Sequence, residues 1–150
     1  MKYDTAQPYV ASYVIVRNED KVAFVLRSNT SWMNGYYGLP SGKVEKDESF
    51  LQCAKREAKE EIGIDVQTAD LKYVFTMHRR EAGPMGSDWV DTYFEAEHWE
   101  GEPTNAEPHV HSELAWFDPA NLPENTIPSV AYAFKQMLAG QTYSEYGWEE

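Results

Sequence analysis

Six consecutive residues, Arg56–Glu61 (REAKEE), place three carboxylates and a guanidinium in a stretch whose flanks read as helix. At about 100° per residue, Glu57 and Glu61 lie about 40° apart around the axis, with Glu60 about 60° to the other side of Glu57. All three therefore project from one side. Like charges at these spacings repel by ~0.2–0.5 kcal/mol per pair in water, and by more when pressed against an apolar sheet. A hard divalent cation bound through oxygen would offset that repulsion. The plainer reading is a solvated helix face in which Arg56 pairs with Glu60 at i, i+4 and Lys55 and Lys59 balance the total. The cluster by itself does not separate the two.

The helix that must carry these groups has its own signals. Ser49 followed by Gln52 fits a capping box, and Gly63 fits a C-terminal stop. Leu51, Ala54, Ala58 and Ile62 recur at helical spacing and predict one buried stripe. Ahead of it, Tyr9–Val16 and Val22–Leu26 read as strands around a polar turn, Arg17–Lys21. Ser28–Tyr36 reads as a loop, Tyr37–Pro40 as a short apolar segment and Ser41–Glu48 as a polar loop. Beyond it, Leu71–Met77 and Trp89–Ala96 read as strands joined by the turn-rich EAGPMGSD, and Leu114–Phe117 as a shorter strand. A second helix is expected from about Ile127 to Leu138. This order is α+β rather than strict β-α alternation, and residues 1–150 show no repeat, linker or boundary, so one domain is expected. The aromatic tail YSEYGWEE is apolar enough to pack on its own domain.

The spacing around the acidic cluster carries more information than the cluster. Gly42 is followed after five residues by Glu48, after seven more by Arg56-Glu57, and the run closes with Glu60-Glu61 and Gly63-Ile64. This resembles the 23-residue Nudix box, here Gly42 to Ile64, with every charged and glycine position met and only Ala58 undersized at an aliphatic position. The resemblance implies an α/β/α sandwich around a mixed sheet, with the box as a loop–helix–loop on one side. It also implies a Mg²⁺-dependent hydrolase, with Mn²⁺ as the alternative ion, that cleaves a nucleoside diphosphate linked to another moiety. The small nucleoside-triphosphate pyrophosphatases, which release monophosphate and pyrophosphate, are the nearest type, including those acting on oxidised nucleotides. ADP-ribose, nucleotide-sugar or dinucleoside-polyphosphate hydrolysis is the second reading, and a catalytically idle nucleotide-binding module the third.

The same resemblance assigns residues. Glu57, Glu60 and Glu61 form the ligand set, one of them also acting as general base. Arg56 orients carboxylates through its planar guanidinium, with Glu48 as its partner. Gly42 permits a close turn, so that a carbonyl near Ser41 faces the metal, and Gly63 is the structural close of the box. Many relatives have glycine where Ser41 stands, which weakens the carbonyl assignment. The segment His98–Glu107 is similar to the one that supplies an additional ligand, making Glu107 the first choice and Glu102 the second. Arg27 resembles a substrate-contacting position, Asn125 has the amide needed to read a base edge, and Tyr36 and Trp32 offer stacking faces. His78, Arg79 and Arg80 are cations near an acidic stretch, suited to phosphate or to pairing. His109 and His111 alternate, so both are expected to share a side, but a zinc site lacks further nitrogen or sulfur ligands nearby. Nothing beside Cys53 suggests an activated thiol.

The balance of 13 basic against 25 acidic side chains, a net −12, argues against polymeric nucleic acid or an anionic membrane as partner. Residues 1–80 hold 12 basic and 11 acidic groups, whereas residues 81–124 hold 11 acidic and none basic. That stretch is expected to present an exposed acidic face. An acidic Ca²⁺-binding module is disfavoured because the D-x-[DN]-x-[DN]-G loop is missing. One cysteine, no apolar span and no signal-like start point to a cytoplasmic protein, monomer or homodimer.

Overall fold

The computed structural model describes residues 4–82 and 86–149. Among these, eight strands and two α-helices follow one another as β1 (Tyr9–Asn18), β2 (Lys21–Arg27), β3 (Tyr37–Gly38), β4 (Ser41–Lys43), α1 (Phe50–Ile62), β5 (Leu71–Arg80), β6 (Asp88–Ala96), β7 (His111–Phe117), α2 (Pro128–Leu138) and β8 (Tyr143–Tyr146). The sheet runs β3-β2-β1-β6-β5-β8, with β4 also paired to β1 and β7 to β2. It is mixed, because β1 lies parallel to β6 and β5 parallel to β8 while the other pairs are antiparallel.

β1 shows why both faces of the sheet are covered. Its residues Ala11–Val16 are all buried, the unbroken run expected of a strand enclosed on two sides. Tyr13 and Ile15 point into a core with Phe24, Phe75, Tyr93, Val130 and Phe134 under α2. Val14 and Val16 point the other way, to Ala54, Ala58 and Ile62 of α1. The result is the α/β/α sandwich implied by the sequence. The stripe on α1 is as expected at Ala54, Ala58 and Ile62, which are fully buried, while Leu51 at its edge is half-buried.

Local signals set the helix ends. The Ser49 side chain accepts from the Gln52 N–H at 3.1 Å and the Gln52 side chain accepts from the Ser49 N–H at 2.9 Å, closing the capping box. Gly63 ends the helix at φ 74°, the left-handed conformation that glycine adopts without penalty. Elsewhere the elements exceed their sequence signals. β4 lies inside the stretch that reads as polar loop, β5 runs to Arg80, and β7 begins at His111. The aromatic tail does pack on the domain: β8 pairs with β5, and Trp148 Nε1 donates to the His78 carbonyl at 3.1 Å. Of the turn-rich EAGPMGSD, residues 83–85 fall outside the described residues. Among the described residues, no helix is long and apolar enough to cross a membrane.

Candidate active site

β4 crosses beneath one face of α1 and brings two backbone features to the acidic cluster. At Gly42 any Cβ would fall on the Glu57 carboxylate, so the absence of a side chain makes the approach possible. At Ser41 the backbone N–H donates to Glu61 Oε2 at 2.7 Å. The sequence suggests a carbonyl role for Ser41; its defined contact with the box is through this amide.

Arg56 organises the cluster. Its Nε and Nη2 donate to the two Glu48 oxygens at 2.7 and 3.0 Å, and its Nη1 donates to Glu57 Oε1 at 2.7 Å and Glu60 Oε2 at 3.2 Å. A further bond from Nη2 reaches the Lys43 carbonyl at 3.2 Å, tying the loop to the helix. The bidentate grip holds the Glu48 carboxyl down to about 2. Glu57 and Glu61 are buried and stand against one another, whereas the Glu60 side chain is 49% exposed. Burial raises the Glu57 carboxyl despite Arg56, and burial together with Glu57 raises Glu61 well above the ordinary range. Two buried carboxylates in contact favour a shared proton or a cation between them.

The loop after β6 docks on the end of α1 through backbone bonds from Thr104 N–H to the Ile62 carbonyl and from Ala106 N–H to the Glu61 carbonyl. These satisfy helix carbonyls that would otherwise lack partners. Glu107 follows directly, and a turn closed by the His111 N–H on the Glu107 carbonyl at 2.9 Å swings His111 back toward α1. Ligand atoms of Glu61, Glu107 and His111 all lie within 4.8 Å of one another. Glu102, the other choice from the sequence, is exposed and outside this group. The two histidines do not share a side: His109 is exposed in the turn, and His111 is buried at the start of β7.

His111 thus joins Glu61 and Glu107, where the sequence offers it only as half of a disfavoured zinc pair with His109. Its only signal there is the HVH alternation, which suggests a zinc pair without further ligands. Its Nε2 stands 3.5 Å from Glu61 Oε1. Burial and the nearby Arg27 guanidinium lower its imidazole to about 4.

The remaining sequence candidates fall around the rim. Arg27 donates from Nε to the Trp32 carbonyl at 2.9 Å and from Nη2 to Thr30 Oγ1 at 3.3 Å, so it braces the loop after β2. Asn125 donates from Nδ2 to the Gly35 carbonyl at 3.0 Å, which occupies that amide with the same loop. Tyr36 is exposed and does not line the cleft, but Trp32 does. That cleft, about 600 Å³, runs from Ser41 and Gly42 past Arg27 and Trp32 to Trp89 and Glu81. Cys53 is fully buried and its thiol is pushed up to about 11, which makes it inert.

Arg79 and Arg80 are engaged in pairing. Arg79 is bidentate to the buried Asp91 at 2.6 and 3.2 Å and also bonds Glu81 at 2.6 Å. Arg80 is bidentate to Asp88, and Glu95 pairs with Arg17 at 3.1 Å. Part of the expected acidic face is thus engaged, since four of its acids pair with three arginines of the first 80 residues.

These features define a class: a helix-borne acidic cluster, clasped by one arginine and held against a mixed sheet, opening on a cleft. The NUDIX domain family matches residues 7–137, and the chain belongs to it as a Nudix hydrolase. It is 32% identical over 143 residues to a zebrafish (Danio rerio) 8-oxo-dGDP phosphatase, covering 93% of this chain and 40% of that protein. It is 29% identical over 105 residues to the CTP pyrophosphohydrolase of Escherichia coli K12, covering 70% of this chain and 72% of the relative. Among solved structures, the MutT NUDIX hydrolase of Burkholderia pseudomallei superposes with a TM-score of 0.76 at 27% identity, covering 87% of this chain and 98% of that one.

Proposed function

We propose that the protein hydrolyses a nucleoside triphosphate to the monophosphate and pyrophosphate, with a divalent cation held by the box. The observation that carries this reading is the charge imbalance at the site: Glu48, Glu57, Glu60 and Glu61 gather around the Arg56 guanidinium. The donor set fits a hard dication, since Glu57 and Glu61 are buried carboxylates in contact and Gly42 leaves room for the Glu57 head group. Glu57, Glu60, Glu61 and Glu107 would hold it. When bound, the ion neutralises the diphosphate and lowers the pKa of a water.

The chain's own groups do the positioning. Arg56 fixes the orientation of Glu57 and Glu60 while Glu48 fixes Arg56, so the carboxylates need no reorganisation when substrate arrives. One box glutamate accepts the proton of the attacking water as the P–O–P bridge breaks and pyrophosphate leaves. The cleft of about 600 Å³ is of nucleotide size and begins at the box, with Trp32 and Trp89 as apolar faces for a base. One relative is named for an oxidised nucleoside diphosphate and the other for a triphosphate, so base and phosphate number are both open variables. A panel of ordinary and oxidised nucleoside triphosphates, ADP-ribose and nucleotide sugars tests the reading. Pyrophosphate release from at least one triphosphate supports it, and turnover confined to ADP-ribose or sugars would replace it with the second reading.

A further inference from the structure

We propose that His111 supplies a nitrogen ligand beside Glu61 and Glu107, so that this end of the site takes a first-row transition dication in preference to Mg²⁺. The inference rests on the metal-dependent reading above and concerns which ion that site selects.

Three independent features carry it. First, the group is compact: one ligand atom from each of Glu61, Glu107 and His111 lies within 4.8 Å of the others, a spread that bonds of roughly 2.0–2.2 Å to a common ion nearly span. Second, His111 is only 3% exposed, yet its Nδ1 has no hydrogen-bond partner among the described residues. A histidine buried for structure has its nitrogens satisfied by protein groups, because an unmet buried polar atom costs about 1–3 kcal/mol. Here the structural bonds run through the backbone instead, from Asn105 Nδ2 to the His111 carbonyl and from the His111 N–H to Glu107. Those bonds fix where the ring sits, leaving Nδ1 without a partner and Nε2 facing Glu61 Oε1 at 3.5 Å. Third, Glu61 and His111, though not Glu107, line a cavity of about 30 Å³, enough for one water or ion. Arg27 lines the same cavity, with its guanidinium bonded to the Trp32 carbonyl and Thr30.

The donor chemistry then selects the ion. Mg²⁺ demands oxygen ligands in near-ideal octahedral geometry, and one imidazole in three protein ligands weakens its hold. Transition dications accept mixed nitrogen and oxygen donors and bind such sites more strongly along the Irving–Williams order. The buried carboxylates keep the site charged enough for a dication, and the imidazole biases which one.

Mn²⁺ is the probe. Electron spin-echo envelope modulation on the wild-type protein loaded with Mn²⁺ should show ¹⁴N coupling of directly bound imidazole. That coupling should vanish in His111→Ala and persist in His109→Ala. Calorimetric titration should show the ratio of Mg²⁺ to Mn²⁺ dissociation constants falling about tenfold in His111→Ala, with His111→Gln as a size-matched second variant. Absence of ¹⁴N coupling in the wild type, or its loss with His109 rather than His111, overturns the inference. In that event hydrolysis dependent on Glu57 and Glu61 still supports the proposed function. No divalent cation binding at all would remove both.

Discussion

Two arginines, Arg56 on α1 and Arg79 on β5, perform the same elementary task with different bookkeeping. Each makes a bidentate bond to one carboxylate and single bonds to others, Arg79 to one and Arg56 to two. Arg79 is the more buried, stacks over Trp89 at 4.7 Å, and faces Asp91 and Glu81. Arg56 bonds Glu48, Glu57 and Glu60, and Glu61 crowds Glu57 behind them. The sheet cluster sets two acids against one arginine, and the helix cluster sets four. The larger surplus lies where Gly42 opens the backbone. Burial of charge marks both places, but only the larger surplus adjoins the proposed cation site.

The sharpest way to break this comparison is to remove one acid from each cluster. Glu61→Gln keeps size and polarity while lowering the surplus, so turnover should fall roughly 10²–10³-fold with the melting temperature held or raised. A variant as active as wild type would detach the surplus from catalysis. Asp91→Ala should do the reverse. It removes the bidentate partner of the buried Arg79, leaving only Glu81, and should cost up to about 3–5 kcal/mol in urea unfolding, while cation affinity measured by calorimetry stays unchanged. A smaller effect is expected from Gly42→Ala, whose new methyl displaces the Glu57 carboxylate. The overpacking penalty is about 1–3 kcal/mol, visible as weaker cation binding before any change in fold by circular dichroism.

Subtler still is the acid behaviour of Glu48. Its folded pKa is depressed from 4.5 to about 2 by the Arg56 bonds, so its contribution is complete above pH 4.5 and is lost as pH falls through 2. The stability gap between wild type and Glu48→Gln should therefore close as urea melts move from pH 5 to pH 2. A gap that stayed constant would show that Arg56 does not set the Glu48 proton affinity. At the bottom of the scale, Arg17→Ala breaks an ion pair whose side chains are 39% and 32% exposed, and should cost under about 1 kcal/mol.

Features whose residues lie close together along the chain are legible in the amino-acid sequence, and those that join distant segments are not. The box is local, so its spacing and the Ser49, Gln52 and Gly63 caps can be read residue by residue, and α1 begins and ends accordingly. Glu107 is reachable through resemblance, since it closes a loop docked on the same helix. His111 is not, because its meeting with Glu61 depends on a backbone turn that periodicity does not encode. β4 hides in a polar stretch because three residues paired to β1 leave no hydrophobic pattern. The pairing of β5 with β8 and of Arg79 with Asp91 joins segments separated in the chain, where composition suggests only an apolar tail and an acidic run. That run reads as one feature and is three: four acids that pair with arginines, Glu107 in the group with Glu61 and His111, and six exposed acids that form the expected face.

Phosphorus NMR of wild-type protein with a nucleoside triphosphate, recorded with Mg²⁺ and again after chelation, tests the central claim most directly. Monophosphate and pyrophosphate should accumulate with the metal and stop with the chelator. Hydrolysis that continued unchanged in the chelator would contradict a site whose acidic surplus exists to hold a cation.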